Sequence, residues 1–293
     1  SHEDLSILFM KRLNKEFNGK LSLAIKIFNN TYPKKFLHQL VSSQLDMDRL
    51  DYLKRDSFFS GVTEGNIGSE RIINMLNIVN DELVVEEKGI YSIEKFLIAR
   101  RLMYWQVYLH KTVISAENML IKVLKRVKFL IANKDTVYTT TDLEIFLRNN
   151  FSKKDIENNP NLLDSFSELD DYDIYTCLKQ WKNCHDFVLS NLSRRIIYRK
   201  LLKIKIVNEP ILEKEKNKLI KIFTKKNNCS KQEAEYFVFS YKVSNNTYDI
   251  EKSNINILMK NRTVIDITSA SDQFNIKALN KTVNKYFLCY PQD

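Results

Sequence analysis

Seventy consecutive residues, 90 to 159, pass without a glycine or a proline. Those two residue types are the usual punctuation of loops and tight turns, so long helices must dominate this stretch. "SIEKFLIARRLMYWQVYLHKTVISAENMLIKVLKRVKFLIA" fits one or two of them, with Ser92 as a cap and Glu94 in the first turn. Upstream, "LSILFMKRLNKEF" and "KLSLAIKIF" space their apolar residues by three and four, which predicts helix over residues 1–30. Pro33 breaks that pattern, and a second helix is expected from about Phe36 to Phe59. "SGVTEGNIGSE" holds three of the chain's five glycines and reads as a loop; a short helix, "ERIINMLNIV", follows it. "DELVVEEKGIYS" alternates on either side of Lys88–Gly89 and suggests a β-hairpin. From about residue 201 the texture changes. "LLKIKIV", "FSYKVS", "NINILM", "RTVIDIT" and "KYFLCY" are strand-like, "EKEKNKLIKIFTKKN" is helical, and "SKQEAEYFV" is a short helix capped by Ser230. The expected fold is therefore mainly α: a helical body over residues 1–200, then a smaller α+β domain over 201–293.

Composition excludes several function classes. No G-x-x-x-x-G-K-[ST] or G-x-G-x-x-G occurs, which rules out a P-loop or a Rossmann site. No stretch approaches 18 apolar residues, and no signal peptide is visible, so a cytoplasmic protein without a membrane partner is expected. The four cysteines, at 177, 184, 229 and 289, form no C-x-x-C. Their scatter suits a reduced compartment rather than a zinc site. Cys177 and Cys184, seven apart on an expected helical stretch, read as small buried apolar groups. The net charge of +10 favours anionic partners without choosing among them.

One helix stands out. In "LDMDRLDYLKRD", residues 45–56, Asp48, Arg49, Tyr52 and Asp56 fall within an arc of about 80–100°. That arc is where an amphipathic helix ordinarily places its core stripe. A solvated face, with Asp51 and Arg55 as an i,i+4 ion pair, would also account for the charge.

The stretch resembles the metal-site helix of HD-domain phosphohydrolases, in particular the deoxynucleoside triphosphate triphosphohydrolases. Their pattern, D-x-D-[KR]-x-D-Y-x-x-R-D, is met at every fixed position. Two further likenesses follow in the family's order. "SHEDLS" resembles the His-Glu pair that opens a helix after the family's His-Asp dipeptide, and "RLMYWQVYLHKTV" resembles its Tyr-x-His-Lys helix. "NLSRRIIYRKLLKIK" is similar to the segment that leaves the helical body. The family holds a divalent metal (Mn, Fe, Mg, Zn or Ni) by an upstream His, a His-Asp dipeptide and the Asp of this helix. Here the histidines are at 2, 38, 110 and 185 only, and the one His-Asp, 185–186, lies far downstream of the motif. The resemblance thus implies a chain that begins after most of the metal ligands, and a metal centre and activity that belong to a longer protein.

Residue roles follow from the resemblance. Asp48 would be the metal ligand that this chain contributes. Arg49 would contact the triphosphate, and Tyr52 would give its hydroxyl to a phosphate oxygen. Asp56 would accept from the sugar 3′-hydroxyl, or else form a salt bridge. Tyr108 would stack on the deoxyribose, or else lie in the core with Tyr104 and Trp105. His2 would act as general acid with Glu3 orienting it, although a terminal histidine can also simply fray. His110 and Lys111 would lie near the site or at a subunit contact, with no choice between the two, and Leu109 leaves base preference open. The basic run at Arg194, Arg195, Arg199, Lys200, Lys203 and Lys205 suits an allosteric nucleotide or nucleic acid, or a solvated helix end.

The function implied is hydrolysis of a dNTP to deoxynucleoside and triphosphate, in a homo-oligomer by analogy with relatives. The alternatives are an HD phosphohydrolase acting on another nucleotide or phosphate ester, and a non-catalytic HD-like module that binds nucleotide or nucleic acid.

Overall fold

A computed structural model describes residues 2–245, 248, 254–272 and 282–292. The helix expected over residues 1–30 is two helices, α1 (His2–Glu16) and α2 (Ser22–Phe28). Asn18 and Gly19 take positive φ of 51° and 83° and end α1, as left-handed residues do. The next expected helix is also two, α3 (Lys35–Val41) and α4 (Met47–Ser60). Asp46 causes the break. Its carboxylate is 2% exposed and accepts from the amides of Ser43 at 3.1 Å and Arg49 at 2.8 Å, which sets a helix start at Met47. Gly61, with φ 71°, closes α4.

The short helix α5 (Ser69–Asn74) stops early, because Leu76–Val79 is strand β1, antiparallel to β2 (Glu82–Glu86). The hairpin therefore turns at Asn80–Asp81, not at Lys88–Gly89. Both turn residues have positive φ, 51° and 63°, which the tight hairpin turn requires and Asn and Asp tolerate. Helix α6 (Ile90–Met103) starts immediately afterwards, so Ser92 lies within its first turn instead of capping it. A five-residue π turn, Tyr104–Tyr108, follows α6, and α7 (Lys111–Ala132) comes next.

Beyond it run α8 (Thr141–Arg148), α9 (Lys153–Asn158), α10 (Pro160–Ser167), α11 (Asp171–Trp181) and α12 (Phe187–Ile197). Then come β3 (Lys203–Val207), α13 (Glu213–Asn227), α14 (Lys231–Ala234) and β4 (Phe239–Asn245). The described chain closes with β5 (Asn256–Leu258), β6 (Val264–Asp266), α15 (Ile267–Ala270) and β7 (Val283–Tyr290). Reciprocal capping boxes start α9 at Ser152, α11 at Asp170 and α14 at Ser230, the last as the sequence leads one to expect.

The chain is mainly helical, and it forms two compact units. The first comprises Ser1–His110 with Ser244–Val283, the second Lys111–Val243 with Asn284–Asp293. The change of texture near residue 200 lies inside the second unit, because Leu202, Ile220 and Phe237 share one core with Met119, Val123 and Trp181. Nor do the late strands all belong to one sheet. In the first unit β5 pairs in parallel with β2, Val84 opposite Asn256, in a sheet of order β1-β2-β5-β6. In the second unit the order is β3-β7-β4, with Lys203 opposite Tyr290. The first unit's core gathers Leu50 and Leu53 of α4, Phe96, Leu97 and Met103 of α6, and Ile257.

Candidate active site

The first unit carries the motif helix, and its periodicity decides which motif residues face protein. Leu50, Leu53 and Ser57 are buried on one side of α4. Asp51 and Arg55 lie on the exposed side as the i,i+4 pair, 2.9 Å apart. The solvated-face reading therefore holds for those two residues. Between the two sides runs a half-buried stripe of Arg49, Tyr52 and Asp56, with Asp48 exposed at its start. Asp48 makes no side-chain hydrogen bond or ion pair among the described residues.

Helix α6 and its π turn face this stripe. Gly65 lets the neighbouring turn approach closely, since a Cβ there would meet the Met103 sulfur at 2.6 Å and the Ser57 Cβ at 2.8 Å. The π turn adds one residue to a helical turn and rotates the side chains after it, and Tyr108 points back at α4. Its hydroxyl donates to the Asp56 carboxylate at 2.6 Å. Its ring stands edge-on to Tyr52, centroids 5.9 Å apart, and to Tyr104, 5.3 Å apart. Tyr108 and Asp56, both expected at the sugar, are thus brought together.

Arg100 is the residue that motif reading missed. It is 7% exposed, and its guanidinium donates to a neutral amide, the Gln44 oxygen, at 2.9 Å. Burial, and after it the charge of Arg49, holds its guanidinium below the usual arginine range, with Tyr52 and Tyr104 acting the other way. Arg49 itself is bonded to the Asp46 carboxylate. The Nε atoms of both arginines are buried without a hydrogen-bond partner among the described residues. Tyr52 lies in the field of both cations. Burial, and next Tyr104, pushes its hydroxyl up to about 12 despite them. Burial and the bond to Asp56 raise Tyr108 as well. Both phenols are neutral donors at physiological pH. The signal for Arg100 was a pair of arginines, Arg100 and Arg101, in the otherwise apolar run "FLIARRLMYW".

The other expected residues stand apart. His2 and Glu3 pair with each other at 3.2 Å in the exposed first turn of α1, which packs on α2. Asp186 of the downstream His-Asp dipeptide has a structural part in the second unit. It caps α12 and accepts a fork of hydrogen bonds from Arg126. Cys177 is fully buried and Cys184 partly so, and burial raises both thiols.

A metal is what the family implies at Asp48. Among the described residues no group of three His, Cys, Asp or Glu side chains is placed to hold one. Asp48 offers one hard oxygen donor, which does not amount to a site.

Residues 67–156 match the model of the HD associated region. A motif helix joined to such a region defines a protein of the HD-domain superfamily. The solved structure of a phosphohydrolase from Bacteroides thetaiotaomicron superposes with a TM-score of 0.93 at 52% identity, over 99% of this chain and 72% of that one. The chain belongs to the HD-domain phosphohydrolase family. Protein YwfO of Bacillus subtilis is 35% identical over 176 residues, which are 60% of this chain and 39% of YwfO. A putative HD domain-containing protein of Acanthamoeba polyphaga mimivirus, L394, is 36% identical over 124 residues, 39% of this chain and 26% of L394. The chain thus spans less than two fifths of these curated relatives. No helix among the described residues is long and apolar enough to cross a membrane.

Proposed function

We propose that this chain carries the phosphate- and sugar-recognising face of an HD-family phosphohydrolase whose substrates are deoxynucleoside triphosphates. One observation carries the reading: the half-buried Arg49 and the buried Arg100 each keep a buried Nε–H without an acceptor among the described residues, in the electrostatic field of Tyr52. Buried donors without partners are costly, and a polyphosphate supplies acceptors and the compensating charge.

In this reading Arg49 and Arg100 hold phosphate oxygens and Tyr52 donates to a third position. Asp56, aligned by Tyr108, accepts from the 3′-hydroxyl, and the Tyr108 ring sets the room left at C2′. His2, beside Glu3, is the proposed proton donor to the departing 5′-oxygen. Asp48 contributes its carboxylate to the metal centre of the whole protein. The described residues do not complete that centre, so apart from the proton given by His2 the part read for this chain is binding and orientation.

A second, effector nucleotide belongs to the same proposal. Arg194 and Arg195 are taken up locally, by the Lys182 carbonyl and the Asn191 amide. Arg199 and Lys203 instead line a cavity of about 370 Å³ with Lys111. Assembly as a homo-oligomer is also part of it.

The test is to incubate the full-length protein and Mn²⁺ with each dNTP, singly and in mixtures, and resolve the products by chromatography. Deoxynucleoside and intact triphosphate are expected, and both are lost in Asp48→Ala. Turnover of other phosphate esters with no dNTP product would move the substrate elsewhere in the family. Nucleotide binding without any turnover would favour the non-catalytic module.

A further inference from the structure

The second unit holds most of the chain's charge, +8 of the net +10, with 26 Lys and Arg against 18 Asp and Glu. Part of that charge lies in a pocket of about 370 Å³ between α7 and the α14 region, a size within the lower range of small-ligand sites. Its α7 wall is Lys122, Lys125, Arg126 and Phe129, spaced three, four and seven apart and hence on one helical face. Gln232, Glu235 and Tyr236 form the other wall.

The carboxylates nearby already have cationic partners. Asp186 takes the Arg126 guanidinium, and Glu235 pairs with Lys231 at 3.9 Å. Lys122 has no ion pair among the described residues: its ammonium donates to the Glu235 carbonyl at 3.2 Å and lies over the rings of Phe239, at 4.6 Å, and Tyr236, at 5.6 Å. Burial, and then the charge of Lys125, holds it below the usual lysine range. Lys125 is exposed and has no ion pair among the described residues. Phe129 is 49% exposed, with Arg126 over one face at 5.0 Å. Two uncompensated ammonium groups beside an open aromatic ring match the chemistry of a phosphate joined to a flat base.

We infer that this pocket binds a nucleotide unit, its phosphate on Lys122 and Lys125 and its base against Phe129, either as a free nucleotide or within single-stranded nucleic acid. The site shares no residue with the α4–α6 cluster, and its fate is independent of the dNTP reading.

The test measures two probes at 50 mM NaCl: a 12-nucleotide single strand with 5′-fluorescein, by anisotropy, and free AMP, by calorimetry. The variants are Lys125→Glu and Phe129→Ala, both at exposed positions and checked for fold by circular dichroism. Lys154→Glu, exposed on α9, is the control for overall charge. Each pocket variant should weaken a bound probe roughly tenfold, and the control less than twofold. Loss with AMP assigns a free nucleotide, and loss with the oligonucleotide alone assigns single-stranded nucleic acid. If neither probe binds, or neither pocket variant exceeds the control, the inference is wrong.

Discussion

Replacing Arg100 with methionine separates ligand recognition from folding, because the two should move in opposite directions. The side chain is 7% exposed, its Nε lacks an acceptor among the described residues, and burial together with Arg49 disfavours its charge. An unsatisfied buried donor costs about 1–3 kcal/mol, and methionine removes it while filling similar volume. The variant forfeits the bond to Gln44, about 1 kcal/mol. The balance is between zero and about 2 kcal/mol of stabilisation, which raises Tm by at most roughly 8 °C in a chain of this size. Binding should suffer. A guanidinium–phosphate contact in so buried a place is worth about 2–3 kcal/mol, so the dGTP affinity falls about 30- to 150-fold. Scanning calorimetry gives the first quantity and titration calorimetry with dGTP the second. Arg100→Lys keeps the charge but not the fork, and should fall between. A lowered Tm with unchanged dGTP affinity would refute the reasoning and make Arg100 a structural residue.

Two further outcomes follow from the same geometry. Tyr52 holds its proton more tightly in the folded protein, at about 12 against an ordinary 10.0. The stability this gives is complete below pH 10 and lost as pH rises through about 12, so Tyr52→Phe should show a shallower fall of Tm over that window; parallel curves would contradict it. Trp181 is 1% exposed and its indole donates to the Tyr138 carbonyl at 2.7 Å. Trp181→Phe should therefore lower the unfolding free energy by about 2–3 kcal/mol in urea titrations, with the nucleotide affinity of the first unit unchanged.

How far the sequence could be read differs by element. Helix α4 was legible because its residues act locally: Asp51 and Arg55 pair one turn apart, and Tyr52 and Asp56 share a stripe. Strands β3 to β7 were legible from alternation. Their assignment to sheets was not, since pairing β5 with β2 joins residues 256 and 84, and no local pattern encodes that distance. The extra helix breaks also escaped. A break at Asp46 depends on a side chain folding back on two amides, and Asp in an apolar-spaced run looks like any polar position. In the site, Tyr108 and Asp56 came from the motif, but their direct bond depends on the π turn. Arg100 was hard to single out for a different reason. Its meaning lies in the lack of a carboxylate partner among the described residues, and only packing reveals that.

The most direct measurement compares dGTP with 2′,3′-dideoxy-GTP binding to the wild type and to Asp56→Asn. If Asp56, held by Tyr108, receives the 3′-hydroxyl, the wild type prefers dGTP by about tenfold, and the variant binds the two nearly alike. Equal affinities in the wild type, or a preference that survives in Asp56→Asn, would contradict the account.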